Sequence, residues 1–390
     1  HAYHVWWHGE EGALDEGLLI FMKGPRSFTG EDVVELQLHG GALSLRRCVE
    51  VCWRSGARPA LAGEFSRRAF LHGRLDLTRA EAIADLVSAQ TDRALDQARV
   101  HLRGGLYQQC QRFRDDILRV RAQLEVAIDF IEDEVPVIDT DALSAEIDTL
   151  TNALEALAET YHQGKLVRDG ATVVLIGPPN AGKSSLFNAL CETDRAIVTA
   201  RPGTTRDTLE ATIDILGVPI TLIDTAGIRE TDDEVEVAGI ARTHRAVAEA
   251  DLVIALLDPE SPDLSEHPDA VQVISKSDIS TTQQLAGTLA ISATTGEGLE
   301  DFKRSVVKHL GASPHPGQSS LTIGRQRHYA ALVSASEALR QAQRGLRHDA
   351  PPELCAVDVQ EATDRLAEIV GLTTIEDMLD VLFGAFCIGK

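Results

Sequence analysis

Short apolar runs with strand-like spacing come early in the chain. Leu18-Leu19-Ile20-Phe21-Met22 precedes a Gly24-Pro25 turn, and Val33-Val34-Glu35-Leu36-Gln37-Leu38 runs up to Gly40-Gly41. Both read as strands bounded by turn residues. After Pro59 the texture changes. Residues 78 to 131 hold almost no helix breaker apart from Gly104-Gly105, and Ile117, Val120, Leu124 and Ile128 recur at spacings of three and four. That spacing lays one apolar stripe along a helix. A second stripe, Leu143, Ile147, Leu150, Leu154, Leu157 and Tyr161, follows the Pro136 break. The two segments are expected to pack as antiparallel helices.

At Gly170 the pattern shifts again. Val173-Val174-Leu175-Ile176 is a buried-strand run followed by a glycine loop, and Ile213 to Asp224 reads as a hairpin turning at Gly217-Val218-Pro219. Further apolar runs at Val253 to Asp258, Val271 to Ser275 and Leu289 to Ser292 are separated by helical segments. Strands alternating with helices predict a mostly parallel sheet covered on both faces. Residues 311 to 320 form a linker, and helical texture then resumes through Leu382. The chain therefore reads as an α/β module inserted into a helical one.

Composition narrows the possibilities. A chain of 390 residues, 44% apolar and 25% charged, suits two or three globular domains. Sixty acidic residues against 37 basic ones give a formal charge of −23, which argues against nucleic-acid or anionic-membrane binding by the whole surface. Local patches are a separate matter. Arg99, Arg103, Arg112, Arg114, Arg119 and Arg121, with Arg325, Arg327, Arg340, Arg344 and Arg347, offer either a phosphate-facing surface or a solvated face of intrahelical ion pairs. Six cysteines form no CxxC pair, against a disulfide framework or a zinc ribbon. Cys48 and Cys52 read as buried small apolar residues, and His39 as a turn histidine with a ligand role as the alternative. No apolar run approaches the roughly 20 residues a membrane helix needs. The chain starts at His1 without a signal-peptide shape, so N-terminal residues are expected to be missing.

The chemistry is carried by loops. Gly177-Pro-Pro-Asn-Ala-Gly182-Lys183-Ser184 fits G-x-x-x-x-G-K-[ST] between a strand and a helix. Its glycines let backbone N–H groups wrap phosphates, Lys183 reaches the β and γ oxygens, and the Ser184 hydroxyl can coordinate Mg²⁺. Asp224-Thr225-Ala226-Gly227 ends a later strand, where a carboxylate can hold Mg²⁺ through water and a glycine N–H can meet the γ-phosphate. Between them, Gly203-Thr204-Thr205 offers Thr205 as a second Mg²⁺ ligand, with a helix cap or turn as the other reading. Ser275-Lys276-Ser277-Asp278 closes a further strand, and its carboxylate can accept both N–H groups of the guanine Watson–Crick edge. Ser275 stands where this motif usually has Asn, so a contact to guanine or to the phosphate loop is expected to be lost. Ser292-Ala293-Thr294 suits a backbone contact to the guanine oxygen. Four of these motifs, in order at strand ends, predict a guanine-nucleotide domain.

Ras-like proteins place a water-orienting Gln directly after D-x-x-G. Here the residue is Ile228, so another group must act if hydrolysis is fast. Arg229 to Glu236 supplies several carboxylates, one of which is a candidate for that task, the alternative being a solvated acidic loop. Asn180 offers a side-chain oxygen beside the phosphates that can hold a monovalent cation in place of an arginine finger. Cys387, four residues from the end, reads as a lone thiol on a frayed terminus, with Lys390 a poor last residue for a prenylation box.

The phosphate-loop string, Gly203-Thr-Thr-Arg-Asp207, Asp224-Thr-Ala-Gly-Ile-Arg229 and the terminal Cys387-Ile-Gly-Lys390 together resemble the MnmE (TrmE) family of tRNA-modification GTPases. Ser27 to Glu35, His39-Gly-Gly41, Gly63 to Phe70 and Leu75 to Asp85 are similar to the same family. The resemblance implies a multidomain α/β plus α chain with a Ras-like P-loop GTPase domain inserted into a discontinuous helical bundle. Its parts would be an α+β folate-binding and dimerisation domain over 1–75, helical segments over 76–168 and 315–390, and the GTPase domain over 169–314. The N-terminal part would lack the family's first strand and a folate-contacting Arg.

The site residues implied for GTP are Asn180, Ala181, Gly182, Lys183, Ser184 and Ser185, then Thr199, Ala200, Arg201, Pro202, Gly203, Thr204 and Thr205. Asp224 to Gly227, Ser275 to Asp278 and Ser292 to Thr294 complete the set. K⁺ would be held by Asn180, Thr199, Arg201 and Thr204, and 5-formyltetrahydrofolate by Glu35, Arg74 and Lys390. Glu236 would act on the attacking water and Cys387 in the tRNA chemistry. The implied partners are the flavoprotein MnmG (GidA) in a heterotetramer, a second copy of the chain, and tRNA whose wobble uridine is modified at carbon 5, in the cytoplasm and not at a membrane. Two other readings remain: a regulatory or ribosome-assembly GTPase switch, and a folate-dependent one-carbon transferase with a GTPase attached.

Overall fold

A computed structural model describes the chain apart from residues 11, 130–138, 194–195, 198–208, 225–243, 258–269, 279–287, 314–320, 374–375 and 387–390. The chain divides into two compact units, one of residues 1–87, 101–147 and 338–390, the other of residues 88–100 and 148–337.

The first unit opens with an antiparallel sheet of β1 (Ala2–Gly9), β2 (Gly12–Met22) and β3 (Val33–Leu38), in that order. β1 was not expected from the sequence, because its run carries polar and aromatic residues instead of an aliphatic signal. Helices α1 (Ala42–Arg54), α2 (Glu64–Leu71) and α3 (Leu77–Ser88) follow. The long helical stretch breaks more often than its apolar periodicity predicts. After α3 come α4 (Asp92–Leu102) and α5 (Gly105–Asp129), with Gly104 in a left-handed conformation between the last two. Ile117, Val120 and Leu124 are buried along α5, and its main neighbour is α11 (Pro352–Val370). Against expectation, α5 does not pair chiefly with α6 (Thr140–Glu159), to which Gln123 is joined by a 3.1 Å bond to Glu146. The stripe Leu143 to Leu157 lies buried on α6, but Tyr161 falls past a break at Thr160 and opens α7 (Tyr161–Asp169). Near the end of the chain, α12 (Glu376–Gly384) brings Leu379 and Phe383, together with Phe386, onto Leu77 and Ala80.

The α/β part of the second unit is a seven-stranded sheet. Its strands are β4 (Ala171–Ile176), β5 (Ala196–Ile197), β6 (Leu209–Ile215), β7 (Val218–Asp224), β8 (Leu252–Leu257), β9 (Val271–Ile274) and β10 (Leu289–Ala290), in the order β10-β9-β8-β4-β7-β6-β5. The pairs β10–β9, β9–β8, β8–β4 and β4–β7 are parallel, whereas β6 runs antiparallel to β7 and to β5. Period-two packing explains the continuous apolar run of β4. Val173 and Leu175 face a core with Leu186 and Leu190 of α8 (Lys183–Thr193) and Phe302 of α9 (Leu299–His309), while Val174 and Ile176 face Ala246 and Val247 on the other side. The hairpin turns at Leu216–Gly217, both with positive φ (52° and 85°), one step earlier than expected. Val218 and Pro219 belong to β7 because Val218 pairs with Ile215 and is fully buried. Helix α10 (Gln326–Arg347) resumes the helical pattern beyond the linker.

Candidate functional site

The loop after β4 bends at Gly177, φ 142°, where a Cβ would lie 2.3 Å from the Leu256 carbonyl oxygen. Only glycine allows this approach, so β8 sets the first corner of the phosphate loop. Asn180 takes a left-handed conformation (φ 64°) that Asn tolerates well. Lys183 opens α8 and is buried, its ammonium donating to the carbonyls of Gly177 (2.7 Å) and Pro178 (2.9 Å). Two of its three N–H groups are thus spent on holding the loop. Burial lowers the Lys183 pKa, opposed by the nearby Asp224 carboxylate.

Asp224, fully buried at the C-terminal end of β7, accepts a 2.8 Å bond from the Ser184 hydroxyl. β4 and β7 are parallel neighbours with Leu175 opposite Asp224, so the two motifs meet at one sheet edge. A buried carboxylate beside a hydroxyl provides hard oxygen donors suited to Mg²⁺. Ser185 follows in the first turn of α8.

The guanine-motif loop leaves β9 at the same edge. Ser275 is buried and its hydroxyl donates to the Ala181 carbonyl at 2.5 Å. The link to the phosphate loop that the shorter side chain was expected to endanger is therefore present. It forms because Gly182, with φ 91°, leaves room: a Cβ there would meet Ser275 at 3.3 Å. Lys276 is left-handed (φ 58°), the Ser277 N–H bonds the Ile291 carbonyl (3.1 Å), and Asp278 closes the described part of the loop. Ser292 is fully buried, its hydroxyl accepting the Thr295 N–H at 3.1 Å, which shapes the turn carrying Ala293 and Thr294. Residues Thr199, Ala200, Arg201, Pro202, Gly203, Thr204, Thr205, Thr225, Ala226, Gly227 and Ile228 lie outside the described residues, as do Glu236, Cys387 and Lys390.

In the other unit, Glu35 on β3 is exposed and accepts from Gln37 at 2.8 Å. Arg74 donates through Nε to the Ser27 carbonyl (3.1 Å) and packs against Gly30. Sequence reasoning missed the carboxylate–guanidinium network beside this loop. Glu64 binds Arg58 (2.7 Å) and Arg68 (2.6 Å), and Arg68 also binds Glu31 (3.0 Å), so the Glu64 pKa drops to about 2. The only signal was the string Gly63 to Phe70.

His39 finds a partner far away in sequence. Its Nδ1 lies 2.7 Å from Asp15, which also accepts from Ser44 (2.8 Å), and the pairing raises the His39 pKa and lowers that of Asp15. Several arginines follow the ion-pair reading: Arg99 pairs with Asp96, Arg119 with Asp116 and Arg121 with Glu125. Cys48 is buried and free, Cys52 half-buried and free. Among the described residues no helix is long and apolar enough to cross a membrane.

Glycine and carboxylate loops gathered at the C-terminal ends of parallel strands, with a lysine and a serine opening the following helix, define a P-loop GTPase. The rest of the chain supplies the family. A model of the MnmE helical domain matches residues 77–387, and one of the GTP-binding protein TrmE N-terminus matches residues 1–74. The tRNA modification GTPase MnmE of Synechococcus sp. (strain RCC307) is 45% identical over 387 residues, covering 97% of this chain and 85% of that relative. Its counterpart in Aquifex aeolicus (strain VF5) is 41% identical over 399 residues, covering 98% and 88%. The solved G domain of the T. maritima FeoB iron transporter is 30% identical, with a TM-score of 0.28, over 36% of this chain and 98% of that one. The chain belongs to the MnmE family of tRNA modification GTPases, and it is a GTP-hydrolysing enzyme.

Proposed function

We propose that this chain hydrolyses GTP as part of a complex that modifies carbon 5 of the wobble uridine of tRNA. The observation that carries the reading is the meeting of Lys183, Ser184 and Asp224 at one sheet edge, bridged by Ser275 to the loop that ends in Asp278. Lys183 binds the phosphates, Ser184 and Thr205 hold Mg²⁺, and Asp278 accepts from the guanine N1–H and N2–H. Bound Mg²⁺ supplies positive charge to the phosphate oxygens. Asn180, with Thr199, Arg201 and Thr204, is assigned to K⁺, which would supply the charge that an arginine finger gives elsewhere. Glu236 is assigned to orienting the attacking water in place of the glutamine absent at Ile228.

The division into domains over 1–75, 76–168, 169–314 and 315–390 goes with this reading. Glu35, Arg74 and Lys390 are assigned to 5-formyltetrahydrofolate, Cys387 to the uridine chemistry, and the flavoprotein MnmG and a second copy of the chain to a cytoplasmic assembly. The Arg74 guanidinium, which among the described residues donates only through Nε to Ser27, and the exposed Glu35 support the folate assignment. Nucleoside mass spectrometry of tRNA from cells lacking the protein tests the whole: the C5-modified wobble uridine should disappear and return with the intact gene. Persistence of that nucleoside would leave the regulatory-switch reading. GTP turnover should also be faster in K⁺ than in Na⁺, and Glu236→Ala should slow it with little change in GTP affinity.

A further inference from the structure

Two side chains outside every nucleotide motif grip the β6–β7 hairpin at its turn. The Thr91 hydroxyl donates to the Gly217 carbonyl at 3.0 Å and accepts the Ala94 N–H at 3.1 Å, so one oxygen caps α4 and holds the turn. The Arg93 side chain lies across Gly217, where a Cβ would come within 2.9 Å of Arg93 Cβ and Cδ. Its guanidinium donates to the Ser313 carbonyl (3.2 Å), just beyond α9. From within the hairpin, Asp214 accepts the Gly217 N–H at 2.7 Å.

The opposite end of the same ribbon lies at the nucleotide site. Six paired rows separate the turn from the Leu209–Asp224 pair, and Asp224 holds Ser184. That is roughly 20 Å of two-stranded ribbon. The two strands are not equally restrained. β7 is paired with β4 from Ile220 to Asp224, but on its outer side β6 has only the two-residue β5 among the described residues. β6 is also the strand that leads directly from Thr205, four residues before Leu209. Its position is therefore set at one end by the grip on Gly217 and read out at the other beside the phosphates.

We propose that Thr91 and Arg93 are positioning residues for GTP hydrolysis, holding the β6–β7 turn so that the far end of β6 is presented to the phosphate site in fixed register. This rests on the assignment of the phosphate loop to GTP. Since linkage is reciprocal, the same grip makes the start of α4 sensitive to the nucleotide.

Steady-state GTP hydrolysis, GTP affinity and thermal unfolding of the full chain test this together. Thr91→Val removes the hydroxyl, Thr91→Ser keeps it, and Arg93→Ala removes the side chain lying across Gly217 while leaving the Thr91 bonds and the α4 cap intact. Arg93→Ala should lower kcat at least threefold with GTP Kd and Tm close to the parent. Thr91→Val should lower kcat as far with GTP Kd close to the parent while its Tm falls with the lost α4 cap, and Thr91→Ser should restore both rate and Tm. An unchanged kcat in Arg93→Ala, or a fall in that variant matched by equal losses of GTP affinity or Tm, overturns the proposal. If the unaltered protein fails to bind GTP, the site assignment fails instead, which the affinity measurement distinguishes.

Discussion

The Ser184 hydroxyl donates a 2.8 Å hydrogen bond to the Asp224 carboxylate, joining two motifs 40 residues apart. Ser184→Ala deletes the proposed Mg²⁺ ligand and one donor to a buried charge. GTP affinity in Mg²⁺ should fall about tenfold, the worth of a hydrogen bond to a charged group. In EDTA the loss should be smaller. Fluorescent-nucleotide titration in both buffers measures it, and equal losses would deny Ser184 a metal role.

Gly177→Ala should damage the phosphate loop. The added Cβ would lie 2.3 Å from the Leu256 oxygen, at a φ of 142° that L side chains avoid. A destabilisation of about 2 kcal/mol and loss of most GTP binding are expected. Urea unfolding and nucleotide titration check both. A variant that binds GTP like the parent would mean that β8 does not set this corner.

The Glu64 network makes a pH prediction. Bonds from Arg58, the Leu61 N–H and Arg68 bring the folded pKa to about 2 from an ordinary value of 4.5. A depressed carboxylate pKa stabilises the fold above the unfolded value, and that contribution is lost as pH falls through the folded one. Glu64→Gln should therefore be less stable than the parent at pH 7, with the gap closing between about pH 4.5 and pH 2. Urea midpoints across that range measure the gap; a constant difference down to the lowest pH would contradict the pairing.

His39 should titrate above its ordinary value because of Asp15. Raised pKa values favour the protonated form, so the His39–Asp15 pairing is strongest below the unfolded histidine pKa and is lost as pH rises through the folded one. In Asp15→Asn the His39 ring protons should titrate closer to an ordinary histidine. An NMR pH titration of both proteins checks this, and identical curves would remove Asp15 as the cause.

The nucleotide motifs were legible because each is a local device. Gly177, Gly182, Lys183 and Ser184 lie in one loop, and a strand before it with a helix after it suffice to place them. The strands β8, β9 and β10 were legible from aliphatic runs. β1 was not, since Tyr3-His4-Val5-Trp6-Trp7 shows no aliphatic alternation, and its role comes from pairing with β2. The break at Thr160 escaped notice because the apolar spacing continues through it to Tyr161.

By itself the sequence determined the order of the motifs, the alternation of strands and helices, and the P-loop chemistry, all of which depend on residues within a few positions of one another. The tertiary structure alone decided which distant groups meet. Ser275 reaches Ala181 across 94 residues, and Thr91 reaches Gly217 across 126. Such contacts follow from strand order and from the close approach that Gly182 and Gly217 permit. Neither is encoded in a local pattern, because the energy of each contact appears only after the chain between its partners has folded.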